Sequence, residues 1–91
     1  MRQHPEDVAQ RIGRKIVQLR RAAGLSQAAL AERLGISVQR VSTIEREGNL
    51  TVYTIVAIAN ALGVEPIELW KEPEPEPVRA RPPGRPRKPR P

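Results

Sequence analysis

The sequence has no cysteine and a single histidine, His4, close to the N-terminus. A disulfide or a thiolate metal site is therefore excluded, and a histidine-based metal site or a His-dependent catalytic triad has no residues to build it. The remaining side chains offer no nucleophile paired with a base and no pair of catalytic acids. We therefore expect no metal, no cofactor and no enzymatic activity.

Aromatic residues are almost absent, since the chain has one Tyr, one Trp and no Phe. A core must then be built from Leu, Ile, Val and Ala, which suits a small helical bundle. No apolar run approaches the roughly 20 residues that span a bilayer, and the polar N-terminus does not resemble a signal peptide. We expect no membrane contact and a cytoplasmic location.

Proline is concentrated at one end, with eight of the ten prolines after Lys71. Proline removes a backbone donor and restricts the residue before it, so the C-terminal part cannot be helical. The expected organisation is a lead-in (1–7), a folded domain (8–71), an extended Glu-Pro linker (72–77) and a basic, disordered Pro/Arg-rich tail (78–91).

The distribution of charge is more informative than the net value of +6. Residues 1–71 carry ten Lys/Arg against seven Asp/Glu, or +3; residues 72–77 add −3 and residues 78–91 add +6. A basic domain followed by a more basic tail indicates a polyanionic partner, and nucleic acid is the usual one.

Apolar residues recur at helical spacing in five short segments, and nothing in the sequence indicates a strand. Ser26, Ser37 and Thr51 are good N-caps, and a glycine follows the end of each of the first four segments. The predicted helices cover residues 5–23, 27–34, 38–47, 52–62 and 66–70. The expected fold class is all-α, a compact five-helix orthogonal bundle.

Residues 27–47 contain the residue types that a tight turn between two crossing helices requires. Ala31 is small enough for a close crossing, and Gly35 can take a positive φ in the turn. Val41 and Ile44 can anchor the second helix to a core. The outward side of that helix carries polar side chains of the kind that bind base edges and phosphates: Gln39, Arg40, Ser42, Thr43 and Arg46.

This segment resembles the helix-turn-helix of the phage-repressor (Cro-like, Xre-type) family of transcriptional regulators. Ala31, Gly35, Ile36, Val41 and Ile44 stand at the spacings of that family, and the resemblance extends over about residues 8–70. It implies a lambda-repressor-like fold and a regulator, in the first place a repressor, that binds double-stranded DNA sequence-specifically. Two alternatives remain open: an antitoxin-like DNA-binding partner of a toxin, and a protein-interaction module on the same fold.

The resemblance also implies which residues read the bases. The helix starting at Val38 would lie in the major groove with its N-terminal part toward the bases. Gln39 and Thr43 are the first candidates for base contacts and Arg40 the third, since Gln can pair with adenine and Arg with guanine. Val38 either touches a thymine methyl or faces inward beneath Gln27.

A second set of family positions holds the DNA backbone. In this sequence they fall on Ser26, Gln27, Ser37, Arg46 and Asn49. A role in capping alone is the alternative for Ser26 and Gln27, and Ser37 is first of all an N-cap.

Two further pairs follow from the resemblance. Arg20 and Glu45 match positions that form a structural ion pair between the first and third helices.

Ile67 stands where the family more often has a polar residue, and with Trp70 and Val56 it would leave an apolar patch on a monomer. Either Trp70 closes the bottom of the core, or Ile67 and Trp70 form the contact of a homodimer on a palindromic operator.

The tail contains R-P-P-G-R-P-R-K at residues 81–88, which resembles an AT-hook, an element that enters A/T-rich minor grooves. Pro83 stands where the hook has its first arginine, so a general attraction to phosphates is the favoured interpretation. The candidate DNA contacts of the tail, whether in the minor groove or to phosphates, are Arg81, Arg85, Arg87 and Lys88.

Overall fold

The computed structural model describes residues 3–75, which form four α-helices and one 3₁₀ helix and contain no strand. The all-α prediction is confirmed for this part of the chain. The elements in chain order are α1 (Pro5–Ala22), α2 (Gln27–Leu34), α3 (Val38–Glu47), α4 (Val52–Leu62) and the 3₁₀ helix (Pro66–Trp70). None of these helices is long and apolar enough to cross a membrane.

Hydroxyl caps fix where three of the helices begin. The side chains of Ser26, Ser37 and Thr51 each accept a hydrogen bond from the backbone N–H three residues later, at 3.0, 3.0 and 3.1 Å. Each cap satisfies an N–H group that the first helical turn leaves unpaired and contributes about 1 kcal/mol. The starts of α2, α3 and α4 are therefore local properties of the sequence.

The core is a single cluster of aliphatic side chains to which every element contributes. Ile16, Ile58 and Leu69 are completely enclosed. The other buried members of the cluster are Ile12, Leu30, Ala31, Val41, Ile44, Ile55 and Leu62.

Two glycines let α1 and α3 pack backbone against backbone. A Cβ atom on Gly13 in α1 would collide with the carbonyl of Glu45, and one on Gly48 after α3 would collide with that of Ala9. Gly48 also has a φ of +66°, which side chains rarely tolerate. This close crossing fixes α3 on the longest helix of the domain.

The fifth predicted helix is a 3₁₀ helix, which corrects the five-α-helix expectation. It has only five residues, with backbone bonds from Glu68 N–H to Glu65 and from Lys71 N–H to Glu68. Pro73 disfavours the α conformation at the residue before it, so the chain has no room for further α-helical turns.

The 3₁₀ geometry also decides which residue closes the core. Residues three apart eclipse one another in a 3₁₀ helix, so Ile67 and Trp70 share one side. Leu69 is fully buried, whereas Ile67 is 62% and Trp70 43% exposed. Leu69 therefore lies in the core at this end of the domain, and Trp70 lies at the edge of the core, where it lines a depression with Ile12 and Ile55.

Candidate nucleic-acid interface

α3 has one side in the core and the other in solvent. Val41 and Ile44 are buried, whereas Gln39 and Arg40 are exposed. Thr43 lies one helical turn after Gln39 and is half-buried. Apart from Val38, the exposed side chains in the N-terminal half of α3 are therefore polar, and Gln39 and Thr43 share one side of it.

The turn before α3 brings its N-terminus to the surface. Gly35 adopts a left-handed conformation (φ 71°), and the N–H of Ile36 donates to the carbonyl of Ala31 at 3.0 Å. This pattern ends α2 within one residue, and the hydroxyl of Ser37 starts α3 two residues later. The backbone N–H groups of the first turn of α3 thus lie beside Gln39 and Arg40.

A buried hydrogen-bonded network holds the angle between α2 and α3. The guanidinium of Arg20 contacts the Glu45 carboxylate through Nε at 2.5 Å and Nη2 at 3.3 Å, and its Nη1 donates to the carbonyl of Leu25 at 2.8 Å. Gln27 Nε2 donates to Glu45 Oε1 at 2.9 Å. One carboxylate therefore ties the end of α1, the start of α2 and the C-terminal part of α3 together.

The contact of Gln27 with Glu45 was not predicted. It leaves Gln27 with one of its two amide hydrogens for a ligand. Sequence spacing gives no signal for it, because the two residues meet only through the crossing of α2 and α3.

Val38 lies outside the core. Its side chain is 43% exposed at the start of α3, so the expectation that it faces inward is wrong. The first turn of the helix is held by the Ser37 cap, and its apolar anchoring begins only at Val41.

The residues assigned to the DNA backbone are all accessible to some degree. Ser26, Ser37, Arg46 and Asn49 are exposed, and Gln27 is half-buried. Arg46 lies 4.0 Å from the Glu47 carboxylate, with both side chains more than half exposed, so this pair adds little stability and leaves Arg46 available. Arg46 and Asn49 line one surface cleft beside the start of α1.

The candidate dimer residues lie on the 3₁₀ helix, and Trp70 lines one depression together with Asn49. Ile67 and Trp70 project from the 3₁₀ helix, and Val56 on α4 is 39% exposed. Lys71 donates to Glu68 at 2.9 Å, and this hydrogen bond lowers the pKa of that carboxyl below its ordinary value.

The candidate tail contacts, Arg81, Arg85, Arg87 and Lys88, lie outside the described residues.

The helix-turn-helix family model HTH_3 matches residues 16–69, a stretch that runs from α1 through the 3₁₀ helix. The chain belongs to this family, the Xre-type DNA-binding transcriptional regulators. It is 41% identical over 64 residues to the uncharacterized HTH-type transcriptional regulator y4dJ of Sinorhizobium fredii, which covers 69% of this chain and 83% of that protein.

Solved members of the family share the fold. The restriction-modification controller protein C.AhdI from Aeromonas hydrophila is 38% identical with a TM-score of 0.63, covering 69% of this chain and 96% of that one. The biofilm master regulator SinR, solved in complex with DNA, is 31% identical with a TM-score of 0.61, covering 66% of this chain and 98% of that one. The family and these relatives are regulators of transcription rather than enzymes.

Proposed function

We propose that this protein represses transcription by occupying a palindromic operator, with α3 of each protomer in the major groove. The observation that supports this most strongly is the polar, exposed N-terminal half of α3, held by a buried network and presented by a tight turn. The complex of the relative SinR with DNA supports double-stranded DNA as the partner. Exposed, hydrogen-bonding side chains on α3 favour base readout over a protein-interaction module.

Base readout is assigned to the first turns of α3. Gln39 and Thr43 share one side, and Arg40 lies next to Gln39. A Gln amide matches the edge of adenine, an Arg fork matches guanine, and the exposed Val38 side chain suits a thymine methyl. These four residues would therefore set the sequence of each half-site.

Contacts to the DNA backbone are assigned to residues around Val38, Gln39, Arg40 and Thr43. The N-termini of α2 and α3 offer free backbone N–H groups beside Ser26, Gln27 and Ser37. Arg46 in the last turn of α3 and Asn49 after it line one cleft and provide a charged and a neutral donor. Such contacts orient the domain without reading sequence.

Homodimerisation is assigned to the patch of Ile67 and Trp70. The two side chains eclipse one another on an exposed face, and burying them in a twofold contact would remove apolar surface from water on both protomers. Dimers of this kind place their recognition helices about 34 Å apart, one turn of DNA. The proposed operator is accordingly palindromic.

The substitution Gln39→Ala tests base readout. On the preferred operator it should cost about 1–3 kcal/mol, and the loss should vanish when the base pair it reads is replaced. Fluorescence-anisotropy titrations against a set of single-base-pair operator variants measure this. Asn60→Ala, which removes an exposed amide on α4, is the control and should bind like the parent. Equal weakening by Gln39→Ala on every duplex, random DNA included, would contradict the assignment.

A further inference from the structure

The last four described residues, 72–75, pack along one side of α1, and we call them the strap. Gln18 holds the backbone of Glu74 with both ends of its amide. Its Nε2 donates to the Glu74 carbonyl at 2.6 Å, and its Oε1 accepts from the Glu74 N–H at 2.9 Å. About two turns earlier on α1, Arg11 forms an ion pair with the Glu72 carboxylate at 3.2 Å. The strap is therefore bound by main-chain pairing at one point and by charge at another.

The side of α1 that holds the strap combines apolar and basic side chains, and we call it the strap site. Pro73 lies beside Val17 in one depression, and Pro75 lies beside Leu19 in another. Four basic side chains of α1 line the depressions along the strap: Arg11, Arg14, Lys15 and Arg21. The strap site thus offers an amide for a peptide backbone, positive charge for carboxylates and apolar surface for prolines.

The strap site lies on the side of α1 that faces away from α3. Successive residues of an α-helix are about 100° apart, so Gln18 projects about 160° away from Arg20 and about 140° away from Gly13. Arg20 and Gly13 are the points at which α1 contacts Glu45 on α3. A molecule bound at the strap site would therefore leave the exposed side of α3 uncovered.

The strap leaves part of this positive charge unused. Arg14 and Arg21 are exposed and form no ion pair with another residue of the described chain. The Nε of Arg11 is enclosed and has no hydrogen-bond partner within residues 3–75. The Glu72 carboxylate is 78% exposed, so its ion pair contributes little. The strap is thus a weak ligand of its own site.

We infer that the strap site docks an extended, acidic, proline-containing segment of a partner protein, which displaces the strap. Gln18 pairs only with main-chain atoms and therefore selects an extended peptide backbone, while the arginines select carboxylates. Prolines keep such a segment extended before it binds, which lowers the entropy that docking costs. Nucleic acid carries the negative charge but has no peptide N–H and carbonyl for Gln18, so an acidic peptide fits better. The strap competes because it is tethered beside the site.

The substitution Glu74→Pro in the full chain empties the site, because it removes the N–H that donates to Gln18 and leaves α1 unchanged. The probe is a fluorescently labelled synthetic peptide of Glu-Pro repeats, titrated by anisotropy at low ionic strength. Glu74→Pro should bind this peptide severalfold more tightly than the parent does. Adding Gln18→Ala to Glu74→Pro should weaken binding severalfold, whereas adding Asn60→Ala should leave it unchanged. A matched peptide of Gln-Pro repeats should not bind.

Chemical-shift changes of backbone amides in Glu74→Pro show where the peptide lies. They should fall on residues 11–22 and leave the exposed side of α3 unchanged, and Gln39→Ala should not alter peptide binding whatever it does to DNA binding. Four results would overturn the inference: no saturable binding by Glu74→Pro, equal affinity for the parent, equal binding after Gln18→Ala, or equal binding of the Gln-Pro peptide. Tighter binding of random duplex DNA by Glu74→Pro, without peptide binding, would assign the basic side chains to phosphates and also overturn it.

Discussion

At the scale of single residues, Glu45 holds α3, the proposed recognition helix, against α1 and α2. It is 8% exposed and accepts hydrogen bonds from Arg20 and Gln27, so three elements meet at one buried charge. A buried ion pair adds little net stability compared with apolar packing, but removing one partner leaves the other charge buried and unpaired. Its value lies in fixing the angle at which α3 leaves α2.

Glu45→Ala should therefore lower the free energy of unfolding by about 3–5 kcal/mol, because it leaves the Arg20 guanidinium buried without its carboxylate. Urea denaturation at a fixed protein concentration measures this. The matched control is Glu47→Ala, two residues later on the same helix, where the carboxylate is exposed and its ion pair measures 4.0 Å. That variant should stay within about 0.5 kcal/mol of the parent. Similar losses for the two variants would mean that Glu45 is not a structural residue.

At the scale of elements, the central feature is the contact between α1 and α3. The backbones approach closely enough that Gly13 and Gly48 have no room for a side chain. α1 thus supports α3, the proposed recognition helix, in addition to burying Ile12 and Ile16 in the core.

The substitution Gly13→Ala tests this contact, because it should lower the stability of the protein although alanine usually stabilises a helix. In an open helix, alanine is more stable than glycine by about 0.8–1 kcal/mol. At Gly13 the new methyl group would push against the Glu45 carbonyl, so we expect a net loss of about 1–3 kcal/mol in thermal or urea unfolding. Gly24→Ala, where nothing lies within 4 Å, reports the cost of a positive φ alone. A gain in stability for Gly13→Ala would show that α1 and α3 do not pack this closely.

The elements also show where sequence reasoning succeeds and where it ends. The bounds of α2, α3 and α4 follow from serine or threonine caps and terminal glycines, which act within a few residues. The starts of all three helices were predicted correctly, and the end of α3 was predicted approximately. The 3₁₀ form of the last helix, the contact of Gln27 with Glu45 and the docking of residues 72–75 on α1 were not predicted. Each depends on residues that are distant in sequence or on crowding by a following proline, for which local periodicity carries no signal.

At the scale of the whole molecule, the proposed function assigns two surfaces of different chemistry to the domain. The polar surface of α3 would face DNA, and the apolar side of the 3₁₀ helix, with Ile67 and Trp70, would face a second copy of the chain. Because both surfaces belong to one domain, dimerisation would hold the α3 helices of the two protomers at a fixed distance from each other.

Ile67→Ala and Trp70→Ala should each weaken the dimer about tenfold or more, which corresponds to the roughly 1.4 kcal/mol or more expected for a central interface residue. Sedimentation equilibrium over a range of concentrations measures the shift toward monomer. Ile36→Ala makes the same chemical change at an exposed site in the turn between α2 and α3, and should leave the association constant unchanged. If all three variants sediment like the parent, the dimer surface lies elsewhere.

The most direct test of DNA reading by α3 is selection of bound sequences from a random pool of duplex DNA by the purified full chain. We expect enrichment of one motif with twofold symmetry, whose half-sites are centred about one helical turn apart. A bound pool without any enriched motif, or with no preference over bulk genomic fragments, would contradict the claim that the outward side chains of α3 read base pairs.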